Sequence, residues 1–240
     1  MELDLVEIWH SMNLLVRGVV VVLTLQAIAC IAVVIDRMVL LRASSRRSVV
    51  FAREAAEAMA AGDYAAVVEI AQKHPESHLA VFAETGLSIF TARLAEGMPR
   101  EKAAELAARA LTRKGEMLSE SLNKGMNVLA STGSTAPFIG LLGTVLGILN
   151  AFKLIASEGS GGMGTIGAAI GEALVVTGYG LLVAIPAVLC FNALSGRIAR
   201  YESGLANAGS ELIDQLESGT SPTPRASIGV EARSPIAVPA

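Results

Sequence analysis

The stretch that decides the fold is residues 18–35, GVVVVLTLQAIACIAVVI, which contains no charged side chain. A helix of this length covers about 27 Å, close to the hydrocarbon thickness of a bilayer. A signal peptide would start with basic residues and end at a small-residue cleavage site. Here acidic residues precede the apolar run and arginines follow it. We therefore interpret residues 18–36 as a first transmembrane helix.

The composition favours a membrane protein. Of the 240 residues 52% are hydrophobic and 17% are charged, and the mean hydropathy is +0.55. Soluble domains average about 25% charged residues. The net charge of −3 gives no basis for nucleic-acid binding. Because the chain lacks a phosphate loop, a Ser/His/Asp set and a metal-binding spacing, we expect neither an enzyme nor a cofactor or metal site.

Two further apolar stretches, residues 126–156 and 165–195, are predicted to be the second and third transmembrane helices. The Gly-rich residues 157–164 are predicted to join them as a short periplasmic loop. Arginines follow the first and third spans, and basic residues collect on the cytoplasmic side of a membrane. This pattern predicts a periplasmic N-terminal segment over residues 1–17 and a cytoplasmic C-terminus.

Most of the charged residues lie in residues 37–125, which we predict to be a cytoplasmic helical domain. Residues 196–218 are predicted to form another cytoplasmic helix, and the Pro- and Ser-rich residues 219–240 a disordered tail. Between Pro99 and Pro137 the chain has no proline, so one helix can run from the cytoplasm into the second span. The predicted fold class is an all-α integral membrane protein with long helices that extend into the cytoplasm.

Glu172 is the only charged residue between Glu158 and Arg197, deep in an apolar run. A charge at the centre of a span costs about 2.5–3.5 kcal/mol on insertion scales, unless it faces a cavity or a partner or becomes protonated. Glu172 can be a titrating group of an ion path. The alternative is that it caps the third helix or bonds a neighbouring helix. We favour the ion path.

Two threonines lie among glycines in the spans. Thr144 lies between Gly143 and Gly147, and a glycine follows Thr177. A single span threonine usually bonds its own helix. Glycines allow close backbone approach, so we expect these hydroxyls to face other helices or a pore. Glu172 and Thr177 are about 140° apart around the helix, so in a ring of subunits one would face the lumen and the other the seam.

Other residues of the spans are predicted to shape helix packing. Small residues four apart suit close helix association, and prolines bend a helix and release backbone carbonyls. The positions are Pro137, Gly143, Gly147, Gly171 and Pro186. Three spans with one carboxyl group, no basic counter-ion and no inverted repeat do not make a transporter that acts alone. We therefore predict an oligomer with a partner that supplies the missing group.

The spans resemble a known family. Residues 131–152, STGSTAPFIGLLGTVLGILNAF, and residues 170–194, IGEALVVTGYGLLVAIPAVLCFNAL, are similar to the second and third spans of the MotA/TolQ/ExbB proton-channel family. The likeness includes Asn192. The three-span layout with a large loop after the first span resembles the TolQ/ExbB branch.

The resemblance implies a homopentamer in the bacterial inner membrane around two single-span helices of a TolR/ExbD-like partner that carries a membrane aspartate. Proton flow would drive rotation and work on the envelope. By motif, Thr144, Thr177 and Glu172 would line the ion path. Leu146 stands where many relatives have an aromatic residue. Tyr179 replaces a small or aliphatic residue and, being on nearly the same face as Glu172, could bond it or narrow the pore.

Two other interpretations stay open. The chain can be a non-conducting oligomeric scaffold that anchors cytoplasmic machinery through residues 40–124. It can also be a sodium-driven version of the same motor, because a path of threonines and a carboxyl group suits either ion. The sequence does not decide whether the work is import, envelope maintenance, export or gliding motility.

Overall fold

The computed structural model describes Trp9, residues 12–158 and residues 163–219. The elements within these ranges are helices, which confirms the all-α class: α1 Leu14–Ala60, α2 Tyr64–Gln72, α3 His78–Ala95, α4 Arg100–Asn123, α5 Met126–Glu158 and α6 Met163–Ser218. Most of the predicted N-terminal segment, the centre of the predicted loop 157–164 and all of the predicted tail except Gly219 lie outside the described residues.

In the part of the chain that the structure describes, three helices are long and apolar enough to cross a bilayer, in agreement with the predicted three-span class. They are α1, the part Met126–Lys153 of α5 and the part Gly167–Ser218 of α6. Their outward faces carry large apolar side chains such as Leu25, Phe138 and Leu182. Hydrocarbon accommodates such faces without cost, whereas water does not.

The chain divides into two compact units, each described by itself. The span unit comprises Met1–Arg46 with Gly115–Leu205, and the second unit comprises Arg47–Lys114 with Ala206–Ala240. In the span unit, α1 buries a narrow stripe whose members follow at intervals of three, four or seven residues: Val16, Val19, Leu23, Cys30 and Arg37. This spacing keeps one face of a helix against its neighbours, so α1 packs on α5 and α6 along a single seam.

The second unit is held by close packing of small side chains. Ala103, Ala104 and Ala107 of α4 are fully buried, and so are Leu87 and Phe90 of α3. Alanines bring helix backbones near one another, which gives many dispersion contacts for little side-chain entropy. At the start of α3, burial and then the positive charge of Lys114 lower the pKa of His78.

The expected continuous helix into the second span is wrong, because two residues separate the end of α4 from the start of α5. Gly125 between them has φ +81°, a left-handed conformation that ends a helix. The buried Arg37 guanidinium donates to the carbonyl oxygens of Ser121 at 2.6 Å and Leu122 at 3.4 Å. In a continuing helix these two carbonyl oxygens would accept hydrogen bonds from backbone N–H groups one turn later. The Arg37 guanidinium takes the place of those donors. We call residues 121–126 the α4–α5 joint.

Candidate functional site

The site is built on the antiparallel pair of α5 and α6, whose backbones touch at glycines. A Cβ atom added at Gly180 would lie 2.7 Å from the Ala136 carbonyl oxygen and 3.0 Å from Gly140 Cα. One added at Gly147 would lie 2.7 Å from the Cβ atom of Ala173. Real side chains do not fit at these distances, so the glycines permit the approach and fix the register of the pair.

This register brings the two predicted threonines to one level, which we call the threonine layer. Gly143 lies against Val176, so Thr144 is level with the turn that carries Thr177. Thr177 Oγ1 donates to the Gly140 carbonyl oxygen on α5 at 2.8 Å. Thr144 is buried, and its Oγ1 donates at 2.7 Å to the carbonyl three residues earlier in its own helix. Only Thr177 therefore bonds across to the other helix.

The hydrogen bonds of Thr144 and Thr177 determine which hydrogen-bonding groups their hydroxyls have left. A hydroxyl has one proton to donate and two lone pairs that accept. Both hydroxyls direct that proton at a backbone carbonyl. Each hydroxyl then keeps only oxygen lone pairs for any further partner, and lone pairs suit a cation or a water molecule that donates.

Tyr179 contacts α1. Its hydroxyl oxygen lies 3.0 Å from Thr24 Oγ1, and Thr24 donates in turn to the carbonyl of Val20 at 2.8 Å. The structure does not form the bond from Tyr179 to Glu172 that the sequence allowed. Seven residues separate the two, about 10 Å along a helix, and the Tyr179 hydroxyl is instead turned to Thr24 on α1. The pore-narrowing role of Tyr179 remains a prediction.

Glu172 is set apart from the threonine layer. It is half-buried, and its carboxylate has no hydrogen bond or ion pair with another of the described residues. It lies five residues before Thr177, about 7.5 Å along the axis, and on the side of α6 that also carries Tyr179. The structure thus places the two threonines at one level. It leaves Glu172 without a partner in the described part of the chain.

The packing candidates behave differently from one another. Pro137 and Pro186 lie inside helices that continue past them. Gly143 and Gly147 face α6, whereas a Cβ atom at Gly171 would meet nothing within 4 Å. A packing role for Gly171 would therefore need another chain and remains a prediction.

Sequence reasoning missed Gly140, Gly180 and Thr24. The glycines stand in the quoted motifs IGLLG and TGYG, so the signal was present. A pattern within one span, however, does not tell which glycine of the other span it meets. Among the residues that the structure describes, no group of three or more His, Cys, Asp or Glu side chains is placed to hold a metal ion.

The chain is similar to known proteins. The sequence profile of the MotA/TolQ/ExbB proton channel family matches residues 79–207, more than half of the chain. The biopolymer transport protein ExbB of Xanthomonas campestris pv. campestris (strain B100) is 44% identical over 106 residues, which are 44% of this chain and 40% of that protein. The Tol-Pal system protein TolQ of Pseudomonas aeruginosa is 36% identical over 132 residues, 53% of this chain and 57% of that protein.

The ExbB of Neisseria gonorrhoeae is 55% identical over 71 residues, 30% of this chain and 32% of that protein. The matches thus span less than two thirds of the length of each of these three relatives. The family is one of transport and energy-transduction channels and is not a known class of enzymes. Three apolar helices and these relatives identify a protein of the bacterial inner membrane. The chain belongs to the MotA/TolQ/ExbB proton channel family.

Proposed function

We propose that this chain is the proton-conducting subunit of a membrane motor that converts the proton-motive force into mechanical work on the cell envelope. Thr144, Thr177 and Glu172 form the ion path. The chain forms a pentameric ring around two copies of a TolR/ExbD-like single-span partner that carries a membrane aspartate. Residues 1–17 and the loop 157–164 lie in the periplasm.

The remaining boundaries follow from the same proposal. Residues 18–36, 126–156 and 165–195 cross the membrane, while residues 37–125 and 196–218 form the cytoplasmic part. The C-terminus is cytoplasmic because arginines follow the first and third spans.

The observation that carries the proposal is the half-buried Glu172, which has no partner among the described residues of its own chain. An ionisable group in a span is expensive and usually marks a proton or ion pathway. Its carboxylate can be satisfied by a proton, by water or by a group from another chain. The threonine layer supports the same function, because each hydroxyl has already donated its proton and keeps only oxygen lone pairs, which favour a cation over an anion.

Proton flux into vesicles that hold the full complex tests the ion path. Thr177→Val keeps the side-chain volume and removes the hydroxyl, so we expect proton flux to fall about tenfold or more while the complex still assembles. Ser134→Ala is the matched control, because it removes a hydroxyl that donates to its own helix on the exposed face of α5. Normal flux in Thr177→Val would remove Thr177 from the path.

The Glu172→Gln variant distinguishes the motor hypothesis from the scaffold hypothesis. A motor loses proton flux and envelope function in this variant, whereas a scaffold keeps its function because the amide preserves the shape of the carboxyl group. Replacing sodium by potassium in the same flux assay distinguishes a proton-driven motor from a sodium-driven one. A flux that disappears without sodium would show the sodium-driven version.

A further inference from the structure

Helix α6 is hydrogen-bonded on two sides at the level of the threonine layer. Thr177 Oγ1 donates to the Gly140 carbonyl oxygen of α5 at 2.8 Å. Two residues later, the Tyr179 hydroxyl oxygen lies 3.0 Å from Thr24 Oγ1 of α1. Two residues turn a helix by about 200°, so these two bonds leave α6 in nearly opposite directions. Within one helical turn, α6 is therefore bonded to both of the other spans.

The Tyr179 hydroxyl is the donor in its bond to Thr24. A threonine hydroxyl has a single proton. Thr24 donates that proton to the carbonyl oxygen of Val20 at 2.8 Å. The Thr24 oxygen is thus left to accept, and the proton between the two side chains comes from Tyr179. Through one intermediate hydroxyl, the tyrosine is bonded to the backbone of α1.

The ring of Tyr179 is held by its surroundings. It is half-buried and packs against an apolar cluster that includes Val19 and Leu23 of α1 and Val176 of α6. A ring enclosed by such side chains has little freedom to swing, so its hydroxyl follows α6 when the helix turns. Exclusion of water by the same cluster strengthens the hydrogen bond to Thr24.

This bond opposes rotation of α6 about its own axis. The Tyr179 hydroxyl lies roughly 8 Å from that axis, because the side chain extends the backbone radius of about 2.3 Å. A rotation of about 20° would move the hydroxyl by about 3 Å and break the bond to Thr24. The same rotation would carry Thr177 Oγ1 more than about 1 Å from its place beside the Gly140 carbonyl, enough to break that bond as well.

We propose that Tyr179 is a positioning residue of the ion path, which holds the rotation of α6 through Thr24 and, together with the close packing at the glycines, keeps Thr177 bonded to Gly140. With that bond in place, the Thr177 oxygen keeps only lone pairs, which favour a cation. Without it, the hydroxyl proton is free and the preference is lost. The inference rests on the proposed function in one respect, namely that Thr177 belongs to the path.

A second tyrosine of α6 supplies a matched control. Tyr201 Oη lies 2.8 Å from Ser44 Oγ, so this side chain also joins α6 to α1 through hydroxyls. Residue numbers rise along both helices from the first contact to the second, so α1 and α6 are parallel. Tyr201 follows Thr177 by 24 residues, about 36 Å along a helix. Tyr201→Phe therefore removes a bond between the same two helices far from the threonine layer.

Thermal unfolding of the purified complex tests the positioning role without reference to flux. Tyr179→Phe and Thr177→Val each remove one hydroxyl, and the two hydroxyls share no hydrogen-bond partner. Independent bonds would therefore give losses of Tm that add. We expect Thr177→Val to lower Tm at most half as much in the Tyr179→Phe background as in the wild type, and by the full amount in the Tyr201→Phe background. Additive losses with Tyr179→Phe would overturn the proposal.

Proton flux into vesicles that hold the full complex tests the consequence for the ion path. We expect Tyr179→Phe and Thr24→Val each to lower flux about fivefold to tenfold, and the double variant to be no worse than the weaker single one. Thr24→Ser keeps the accepting hydroxyl and should retain most of the flux, whereas Tyr201→Phe should leave it unchanged. Normal flux in Tyr179→Phe, or an equal loss in Tyr201→Phe, would contradict the proposal.

The outcomes for positioning and for conduction are separable. If Thr177 and Tyr179 are coupled in Tm but the wild-type complex carries no proton flux, the positioning role stands and the proposed function fails. If Thr177→Val abolishes flux while Tyr179→Phe conducts normally and the Tm losses add, the proposed function stands and the positioning role fails.

Discussion

At the scale of single residues, the glycines at the contact points decide how closely α5 and α6 approach each other. Gly180→Ala would place a Cβ atom 2.7 Å from the Ala136 carbonyl oxygen and 3.0 Å from Gly140 Cα. Both obstacles are backbone atoms, which cannot move aside as a side chain would. We expect the variant to lose about 1–3 kcal/mol of stability, measured by thermal unfolding in detergent.

Gly178→Ala is the control for this prediction, since it lies two residues away in the same helix. An added Cβ atom there meets nothing within 4 Å. Alanine favours a helix by about 1 kcal/mol over glycine, so we expect stability to be unchanged or slightly raised. If the two alanine variants unfold at the same temperature, the close approach at Gly180 is not what holds the pair together.

At the scale of elements, the α4–α5 joint depends on a side chain from a third helix. Arg37 is 7% exposed, pairs with Asp36 and donates to the carbonyls of Ser121 and Leu122. Arg37→Met keeps much of the length of the side chain and leaves those carbonyls without these donors. We expect a loss of about 1–3 kcal/mol and faster hydrogen exchange of the amides of the joint.

Arg42→Met on the exposed face of the same helix is the control. It removes a cation that is not buried, so we expect a change within about 0.5 kcal/mol. Unchanged exchange at the joint in Arg37→Met would mean that the left-handed Gly125 alone ends the helix.

At the scale of the whole molecule, an assembly is expected because Glu172 has no partner among the described residues of its own chain. Native mass spectrometry of this chain, co-expressed with a single-span TolR/ExbD-like protein and extracted in mild detergent, measures the stoichiometry. We expect five copies with two of the partner. A monomer, or a homo-oligomer that excludes the partner, would favour the scaffold.

From the residues alone, the three spans and the helical class could be predicted, because a bilayer accepts only long apolar segments whose backbone bonds are satisfied internally. The residues around Glu172, Thr144 and Thr177 also carried the resemblance to the family. Each of these inferences concerns one segment at a time, so no knowledge of how the segments meet was required.

Only the tertiary structure decided which groups the polar side chains of the spans bond to. Thr177 bonds Gly140, and Tyr179 bonds Thr24 and not Glu172. Arg37 donates to carbonyls at the α4–α5 joint, where a helix that lacks proline is interrupted. The break at the joint is decided in the same way. Hydrophobic periodicity specifies which face of a helix is buried, but the rotation and register of one helix against another come from close packing at glycines far apart in the chain.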